Sequence, residues 1–469
     1  MRAKHGRTTG IAIGAAAAGL VLGVMASASA SPGATAAART ATAKVVPSTT
    51  IPPAFSAASV QVFRTHIKPL ATIGGVTITG GGYGSSLTRV PGTTNEFYGL
   101  TDRGPNVDGP NGTKVEPLPG FDPAIGKFRF TNGQAVLLKS IPLKSATGVP
   151  YSGRVNTLAD TGETITDLNG NVLAKDPNGY DSEGLVALKD GTFWVSDEYG
   201  PFVTHFTANG RAISRLSPYD GTLPAELKYR VPNKGMEGLT ITPDGKTLVG
   251  MMQSALQDPD LTAKPAKVTT LRIVTIDLKT KAEHEYLYLL DNPGTTSSAV
   301  SEITALSNTS FLVDERDGNF EPGAYKKLWQ ISLTGATDVG PLSTVPGTTY
   351  DASQGGLLVD GMSIDQFVGT DNTATALAAL QGKGIQPVSK ALNLDLGGLV
   401  SSLDPSGGFF GHDKIEGVTT LDGGRTIVVS NDSDFGIVGV NESTPPFSLT
   451  PKILPNGQQD DGEFLVIKR

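Results

Sequence analysis

Four acidic hairpins contain the residues of this chain that are best suited to chemistry. In each one, an acidic residue precedes a short apolar strand, a tight turn follows, and a second strand ends in further polar or acidic residues. The glutamates that begin these hairpins are Glu183, Glu237, Glu302 and Glu416. The acids that end them, or that end a fifth, degenerate copy, include Asp102, Glu198, Glu315 and Asp432.

Such a set of acids predicts a cation site. Clustered carboxylates repel one another unless protons or a cation neutralise them. Calcium takes roughly six to eight oxygen ligands in flexible geometry, which suits side chains of this kind. We therefore expect calcium to be bound by Asp102, Glu183, Glu198, Glu237, Glu302, Glu315, Glu416 and Asp432. The alternative is that these acids only accept hydrogen bonds from the backbone at strand ends.

Basic residues stand beside these acids along the chain. They are Arg103, Lys234, Arg316 and Lys414. Cationic groups next to a bound cation would attract an anionic, phosphorylated substrate. The alternative is that each cation forms an ion pair with its acidic neighbour.

The hairpins themselves indicate how these side chains are positioned. Asp190 and Gly191 favour a tight turn, because such residues accept a positive φ, and this turn places Glu183 near Glu198 at the far end of the hairpin. Repeated hairpins at intervals of about 50 residues, or multiples of that, are typical of a β-propeller. In a propeller, these far ends gather at one mouth of the central channel.

The fold class expected is therefore all-β, as a propeller of six blades, with five or seven blades as alternatives. The last residues, Glu463 to Ile467, read as a strand, which predicts a ring closed by pairing of the N- and C-terminal strands. We expect this domain to span residues 56–469. The long interval between Glu302 and Glu416 leaves room for a blade and for an insertion around residues 340–412, with a short helix near Thr373 to Leu380.

The first residues have the features of an export signal. Arg2, Lys4 and Arg7 precede an apolar run from residue 11 to residue 25, and Ala28-Ser29-Ala30 supplies small residues for cleavage. Residues 1–30 are predicted to be a signal peptide, and the Ala- and Thr-rich residues 31–55 a flexible linker. The chain is expected to be secreted, without a transmembrane segment after cleavage.

Composition excludes several classes of function. The chain has no cysteine, which rules out disulfides, thiolate metal sites and a thiol nucleophile. Its net charge of −7 argues against nucleic-acid binding, which needs a basic surface. Neither a Gly-x-Ser-x-Gly elbow nor a His-Glu-x-x-His motif occurs. We expect a monomer that acts on a small anionic molecule.

Several motifs, taken in order, resemble one family. They are Thr101-Asp102-Arg103-Gly104-Pro105-Asn106, Asp181-Ser182-Glu183-Gly184, Val195-Ser196-Asp197-Glu198-Tyr199-Gly200, Met236-Glu237-Gly238-Leu239, Lys414-Ile415-Glu416-Gly417 and Asn431-Asp432-Ser433-Asp434-Phe435-Gly436. Together they resemble the phytase-like family, labelled "esterase-like activity of phytase". The resemblance implies a secreted bacterial β-propeller and a hydrolase of phosphate or other esters. Calcium-dependent propeller phytases are a more distant similarity, and Met252 stands where the other hairpins have Glu or Asn.

The sequence thus favours a calcium-assisted hydrolase of phosphate esters. Glu183, Glu237, Glu302 and Glu416 are the expected inner ligands or general bases, and Arg103, Lys234, Arg316 and Lys414 the expected substrate-binding residues. Two alternatives remain open. One is a lactone or carboxylic-ester hydrolase on the same propeller, and the other is a non-catalytic binding propeller with a structural metal.

Overall fold

A computed structural model describes residues 59–159 and 162–469. The predicted signal peptide and linker lie outside the described residues. The strands, in chain order, are β1 (Val60–Thr65), β2 (Ala71–Ile73), β3 (Val76–Ile78), β4 (Ser86–Arg89), β5 (Glu96–Leu100), β6 (Val107–Asp108), β7 (Lys114–Val115), β8 (Ala124–Thr131), β9 (Gln134–Pro142), β10 (Ile165–Thr166), β11 (Ser182–Ala187), β12 (Phe193–Asp197), β13 (Val203–Phe206), β14 (Ala212–Leu216), β15 (Met236–Ile241), β16 (Thr247–Met252), β17 (Thr270–Asp277), β18 (Glu283–Leu289), β19 (Ala299–Ala305), β20 (Ser310–Arg316), β21 (Lys326–Ser332), β22 (Thr348–Asp351), β23 (Gly356–Val359), β24 (Met362–Ser363), β25 (Ser389–Asp395), β26 (Ile415–Thr420), β27 (Thr426–Asn431), β28 (Ile437–Val440), β29 (Leu449–Pro451) and β30 (Glu463–Lys468).

Helices are few and short in the described ranges. The α-helices are α1 (Pro293–Thr296), α2 (Ile364–Val368), α3 (Thr373–Gly382) and α4 (Leu396–Leu403). The 3₁₀ helices are Pro110–Gly112, Ala225–Tyr229, Pro265–Lys267, Ala352–Gln354 and Asp434–Gly436. Helix α3 coincides with the helix expected near Thr373, and the side chain of Asn372 caps it by accepting from the backbone N–H groups of Ala374 and Thr375.

The strands form a β-propeller of four-stranded blades. From the channel outward, blade 1 is β4-β5-β8-β9, blade 2 is β11-β12-β13-β14, blade 3 is β15-β16-β17-β18, blade 4 is β19-β20-β21-β25 and blade 5 is β26-β27-β30-β1. Blades 1 and 5 belong to one eight-stranded sheet, because β1 pairs with β9 in parallel. Its two end strands, β4 and β26, also contact each other, so this sheet is nearly closed.

Five hydrophobic clusters lie between consecutive blades. One cluster packs Val186 and Trp194 of blade 2 against Leu239 of blade 3, and another packs Val428 of blade 5 against Phe97 of blade 1. Because each blade is covered on both sides, central strands such as β12 and β17 are buried on both faces. In β17, for example, every residue but the last is buried.

The sequence predicted six blades, whereas the described residues form five. Residues 340–412 do not add a blade. They contribute β25 as the outermost strand of blade 4, and the segment between β21 and β25 folds into β22–β24 with α2 and α3. Its apolar side chains, including Leu357 and Leu380, pack together with Leu287 of β18. The first and last strands of the described chain, β1 and β30, pair antiparallel, with Val60 opposite Ile467.

A smaller layer covers the mouth of the channel where the acidic hairpins end. Segments between β5 and β8 and between β27 and β30 supply β6, β7 and β28, and β6 contacts β28. Their apolar side chains pack around Phe435, with Val107, Val115 and Ile437 among them. Among the described residues, no helix is both long enough and apolar enough to cross a membrane.

Candidate functional site

The glutamates of three inner strands stand in β-bulges. The pairing register of the inner strand shifts between Ser182 and Leu185, between Met236 and Gly238, and between Ile415 and Val418. These shifts contain Glu183, Glu237 and Glu416. A bulge inserts an extra residue and re-aims its side chain, here towards the channel mouth.

A glycine follows each of these glutamates because the neighbouring inner strand lies close. A Cβ on Gly184 would lie 2.6 Å from Leu239 Cβ, and one on Gly417 would lie 2.7 Å from Leu87 N. The glycine after each of these glutamates is therefore required because the inner strands pack closely around one channel.

The bulges open into a cavity of about 340 Å³ at the channel mouth, called here the mouth cavity. Ten carboxyl groups and five basic side chains line it. Ten of the twelve site residues predicted from the sequence are among them, namely Asp102, Arg103, Glu183, Glu198, Lys234, Glu237, Arg316, Lys414, Glu416 and Asp432. The remaining lining residues include Asp181, Asn233, Gln253 and Asp413, which the sequence analysis did not identify as site residues.

Three of the mouth carboxylates are close enough to share a cation. Asp181, Glu183 and Glu198 each place a carboxylate oxygen within 4.8 Å of the other two, and all three residues are buried. Glu198 Oε1 and Glu237 Oε2 are buried and accept no hydrogen bond from a donor group, and these two carboxyl groups can bond each other only if one of them carries a proton. Buried carboxylate oxygens without donors are costly unless a proton or a cation satisfies them. The donor set, entirely oxygen and flexible, fits calcium.

Burial first, and mutual repulsion second, raise the pKa values of the mouth carboxyls. Burial, together with the charges of Glu237 and Asp181, raises the pKa of Glu183 well above its ordinary value. Burial and the charge of Asp181 raise the pKa of Glu198 to about 8. For Glu237, burial and the charges of Glu198 and Glu416 have the same effect. Without a cation, the folded protein therefore holds protons at this site near neutral pH.

Glu302 does not lie in the mouth cavity, although the sequence grouped it with the other three glutamates. Its side chain lies lower in the channel, where Oε2 accepts from Ser86 Oγ at 2.5 Å and Oε1 accepts from the backbone N–H groups of Leu239 at 3.2 Å and Ile303 at 3.0 Å. When the strands are aligned by their pairing, Ile303 corresponds to Leu185. Glu302 therefore corresponds to Gly184 and not to Glu183. Ser301 stands at the position of the mouth glutamate. Glu302 thus joins three blades at the channel axis.

Glu315 is also misplaced by the sequence prediction. Its side chain points into the protein interior, where it accepts from Lys390 Nζ at 2.5 Å, Tyr288 Oη at 2.6 Å and Ser298 Oγ at 2.9 Å. Side chains alternate along a strand, so the next residue, Arg316, faces the mouth. The same alternation turns Met252 away from the mouth and Gln253 towards it, so Met252 does not replace a mouth ligand.

Most of the basic residues at the mouth are paired with acids. Arg316 donates to Glu416 and, at 2.9 Å, to Ser301 Oγ. Lys414 Nζ lies 2.9 Å from Asp432 Oδ2 and 2.5 Å from Asp434 Oδ1. These pairings agree with the ion-pair alternative that the sequence left open.

Arg103 is held still more firmly and is nearly inaccessible. Its Nη1 donates to Tyr199 Oη at 2.7 Å, its Nη2 donates to Asn106 Oδ1 at 3.1 Å, and its Nε lies 3.6 Å from Asp181 Oδ2. Arg103 therefore orients Asp181, a member of the three-carboxylate group, more than it faces the cavity.

Lys234 differs from the other mouth cations. Its Nζ donates to the amide oxygen Oε1 of Gln253 at 3.0 Å. Within residues 59–159 and 162–469 it forms no ion pair, and burial lowers its pKa. A lysine shortly before the glutamate occurs in both blades, at Lys234 and at Lys414, so the presence of the lysine alone does not indicate this difference.

Comparison with solved structures returns propellers and other proteins at low scores. The Dos1 propeller is 10% identical, with a TM-score of 0.28, over 75% of this chain and 67% of that one. A catalytically inactive virginiamycin B lyase from Staphylococcus aureus with quinupristin is 12% identical, with a TM-score of 0.29, over 87% of this chain and 99% of that one. We draw no functional conclusion from either.

Sequence comparison is more specific. A curated relative from Arthroderma benhamiae, named "Uncharacterized secreted protein", is 28% identical over 60% of this chain and 69% of its own length. The sequence model of the family described as "Esterase-like activity of phytase" matches residues 78–435, which include every residue of the mouth cavity except Ile437 and Val438. This chain therefore belongs to the phytase-like family.

Proposed function

We propose that this protein is a secreted, calcium-assisted hydrolase of phosphate esters, with its active site in the mouth cavity. The observation that supports this most is the meeting of Asp181, Glu183 and Glu198, together with a partnerless oxygen of Glu237, beside the cationic Lys234. Secretion is proposed from the N-terminal signal sequence and from the name of the fungal relative.

The three clustered carboxylates would hold the cation, with Glu237 and Asp102 beside them. When bound, calcium would neutralise this negative charge, polarise a phosphoryl oxygen and lower the pKa of water. Arg103 keeps Asp181 in place through its backbone N–H, which donates to Asp181 Oδ1 at 3.1 Å. Glu302 and Glu315 are not part of the proposed site, because other donors already occupy their oxygens.

The remaining side chains of the mouth would bind the substrate and move protons. Lys234 would hold the phosphate group, and Arg316 stands near enough to share it if Glu416 yields one of its hydrogen bonds. Glu237 would donate the proton to the leaving alcohol oxygen, because it lines the cavity beside Lys234 and is not one of the three clustered carboxylates. Lys414 and Asp432 hold each other in place and shape the wall of the cavity.

A lactone or carboxylic-ester hydrolase is the second candidate. It is favoured by the ion pairs of Arg316 and Lys414, which leave little positive charge for an anionic substrate. A neutral ester would need only the cation and one proton donor. A non-catalytic propeller with a structural metal would bind calcium and turn over neither class of ester.

The test measures product release from a phosphate monoester and from a short-chain carboxylic ester, with calcium and with a chelator. Calcium-dependent release of phosphate that is lost in Glu183→Gln and retained in Glu315→Gln would support the proposal. Release of acid from the carboxylic ester alone would favour the second candidate, and calcium binding without turnover would favour the non-catalytic propeller.

A further inference from the structure

Charge pairing within the mouth cavity restricts the substrate. Ten carboxyl groups face five basic side chains there. Four of the five basic side chains have a carboxylate at ion-pair distance: Arg103 with Asp181, Lys114 with Asp108, Arg316 with Glu416, and Lys414 with Asp432. Their charge is largely cancelled before any substrate arrives.

Lys234 escapes this cancellation because of Gln253. The positions that correspond to Gln253 in blades 1, 2 and 5 carry the carboxylates Asp102, Glu198 and Asp432. The amide of Gln253 accepts a hydrogen bond from Lys234 without neutralising it. Gln253 is itself fixed, since its backbone N–H donates to Gly235 O at 2.9 Å and its carbonyl accepts from Val300 N at 3.2 Å. The neutral amide thus orients a lysine that has no carboxylate of the described residues at ion-pair distance, so its ammonium group is available to an anion.

We infer that the mouth cavity takes esters that carry a single phosphate group, held by Lys234 in the orientation set by Gln253, and discriminates against polyphosphorylated esters such as phytate. This inference rests on the proposed function. Each further phosphate would require another uncancelled cation, and even with one calcium ion bound the ten carboxyl groups outnumber the positive charges of the cavity and would repel it. A cavity of about 340 Å³ is also at the small end of ligand pockets.

Gln253→Glu is the variant that tests the inference most closely. It keeps the shape of the side chain and places a carboxylate where Lys234 now donates to an amide, so Lys234 would become paired like the other mouth cations. Gln61→Glu, at an exposed position of β1, makes the same change in net charge and is the matched control. Lys234→Met removes the positive charge of the lysine directly, and it provides the test if Gln253→Glu does not fold.

The measurements are calorimetric binding of inorganic phosphate in the presence of calcium, and steady-state hydrolysis of para-nitrophenyl phosphate and of phytate. In Gln253→Glu, we expect phosphate to bind at least tenfold more weakly and the KM for the monoester to rise by a similar factor. Gln61→Glu should match the unmodified protein, and phytate should be neither hydrolysed nor able to compete with phosphate.

The inference would be overturned by unchanged phosphate binding in both Gln253→Glu and Lys234→Met, or by hydrolysis of phytate as efficient as that of the monoester. These results are distinct from a failure of the proposed function. If phosphate binds through Lys234 but no ester is hydrolysed, the hydrolase proposal fails and the single-anion site stands. If phytate is hydrolysed, the hydrolase proposal stands and the inferred substrate class is wrong.

Discussion

Two groups of buried glutamates in this protein differ in what surrounds their carboxyl oxygens. At the channel axis, Glu302 accepts hydrogen bonds from Ser86, Leu239 and Ile303. At the mouth, Glu198 and Glu237 each have a buried oxygen without a partner. Burial raises the pKa values in both groups, so neither burial nor pKa separates a functional carboxylate from a structural one.

The difference lies in the donors. Where the fold supplies hydrogen-bond donors, a buried carboxylate joins structural elements. Where the fold surrounds a buried carboxylate with other carboxylates, its negative charge can be neutralised only by a proton or a bound cation. Glu315, with Lys390 and Tyr288, belongs with Glu302 in the first class. The following predictions test this division.

The largest effect on stability is expected for Glu315→Ala. The substitution leaves Lys390 buried without its charge partner, and breaking one side of a buried ion pair costs about 3–5 kcal/mol. Urea unfolding should show this loss in the free energy of unfolding. Calcium affinity should remain within twofold of that of the unmodified protein, and a clear fall in affinity would place Glu315 in the metal site after all.

A somewhat smaller loss is expected for Glu302→Ala. It removes the acceptor of two backbone N–H groups and one hydroxyl at the channel axis, at a cost of about 3 kcal/mol in the free energy of unfolding. Thermal and urea unfolding measure this directly. A variant as stable as the parent would mean that the channel axis does not depend on this carboxylate.

The opposite behaviour is expected for Glu198→Gln at the mouth. Calcium affinity should fall at least about tenfold, or about 1.4 kcal/mol, because one of three clustered carboxylates is lost. In the presence of a chelator, the free energy of unfolding should change by less than about 1 kcal/mol, since the native oxygen Oε1 has no partner to lose. A large loss of stability without calcium would move Glu198 into the structural class.

The last prediction concerns the direction of the pH dependence. The folded, metal-free protein holds protons on Glu198, with a pKa of about 8, and on Asp432, with a pKa of about 7, because burial raises both. The unfolded chain has released them above about pH 4–4.5. Stability without calcium, measured as Tm, should therefore decrease as pH rises from about 5 to about 8. Calcium should remove this decrease, because it binds the deprotonated carboxylates, and a Tm that rises over this range with a chelator present would contradict the assignment.

The sequence was sufficient to predict the propeller and most of the mouth. Asp-Gly turns and repeated hairpins carry that information locally, and Glu183, Glu237 and Glu416 are indeed at one cavity. The blade number could not be predicted, because β25 completes blade 4 only after the long excursion through β22–β24. A blade number estimated from the spacing of the hairpins along the chain counts this insertion as a further blade.

The errors at Glu302 and Glu315 have one physical origin. Each lies one residue away from the mouth position of the other hairpins, Glu302 at the position of Gly184 and Glu315 at that of Asp197, and a displacement of one residue turns a side chain to the other face. In the other three hairpins the glutamate is followed by glycine, whereas Glu302 is preceded by Ser301 and followed by isoleucine. Requiring a glycine after the glutamate would therefore have excluded Glu302 from the predicted mouth residues. The neutrality of the Gln253 position is visible in the sequence, but its significance depends on Lys234 being beside it in space.

Calorimetric titration of the purified protein with calcium tests the central claim most directly. We predict binding in the unmodified protein and in Glu315→Gln, with at least a tenfold loss of affinity in Glu183→Gln. If calcium does not bind to the unmodified protein, or if it binds equally well to Glu183→Gln, the mouth carboxylates are not the cation site and the account of this family member given above is wrong.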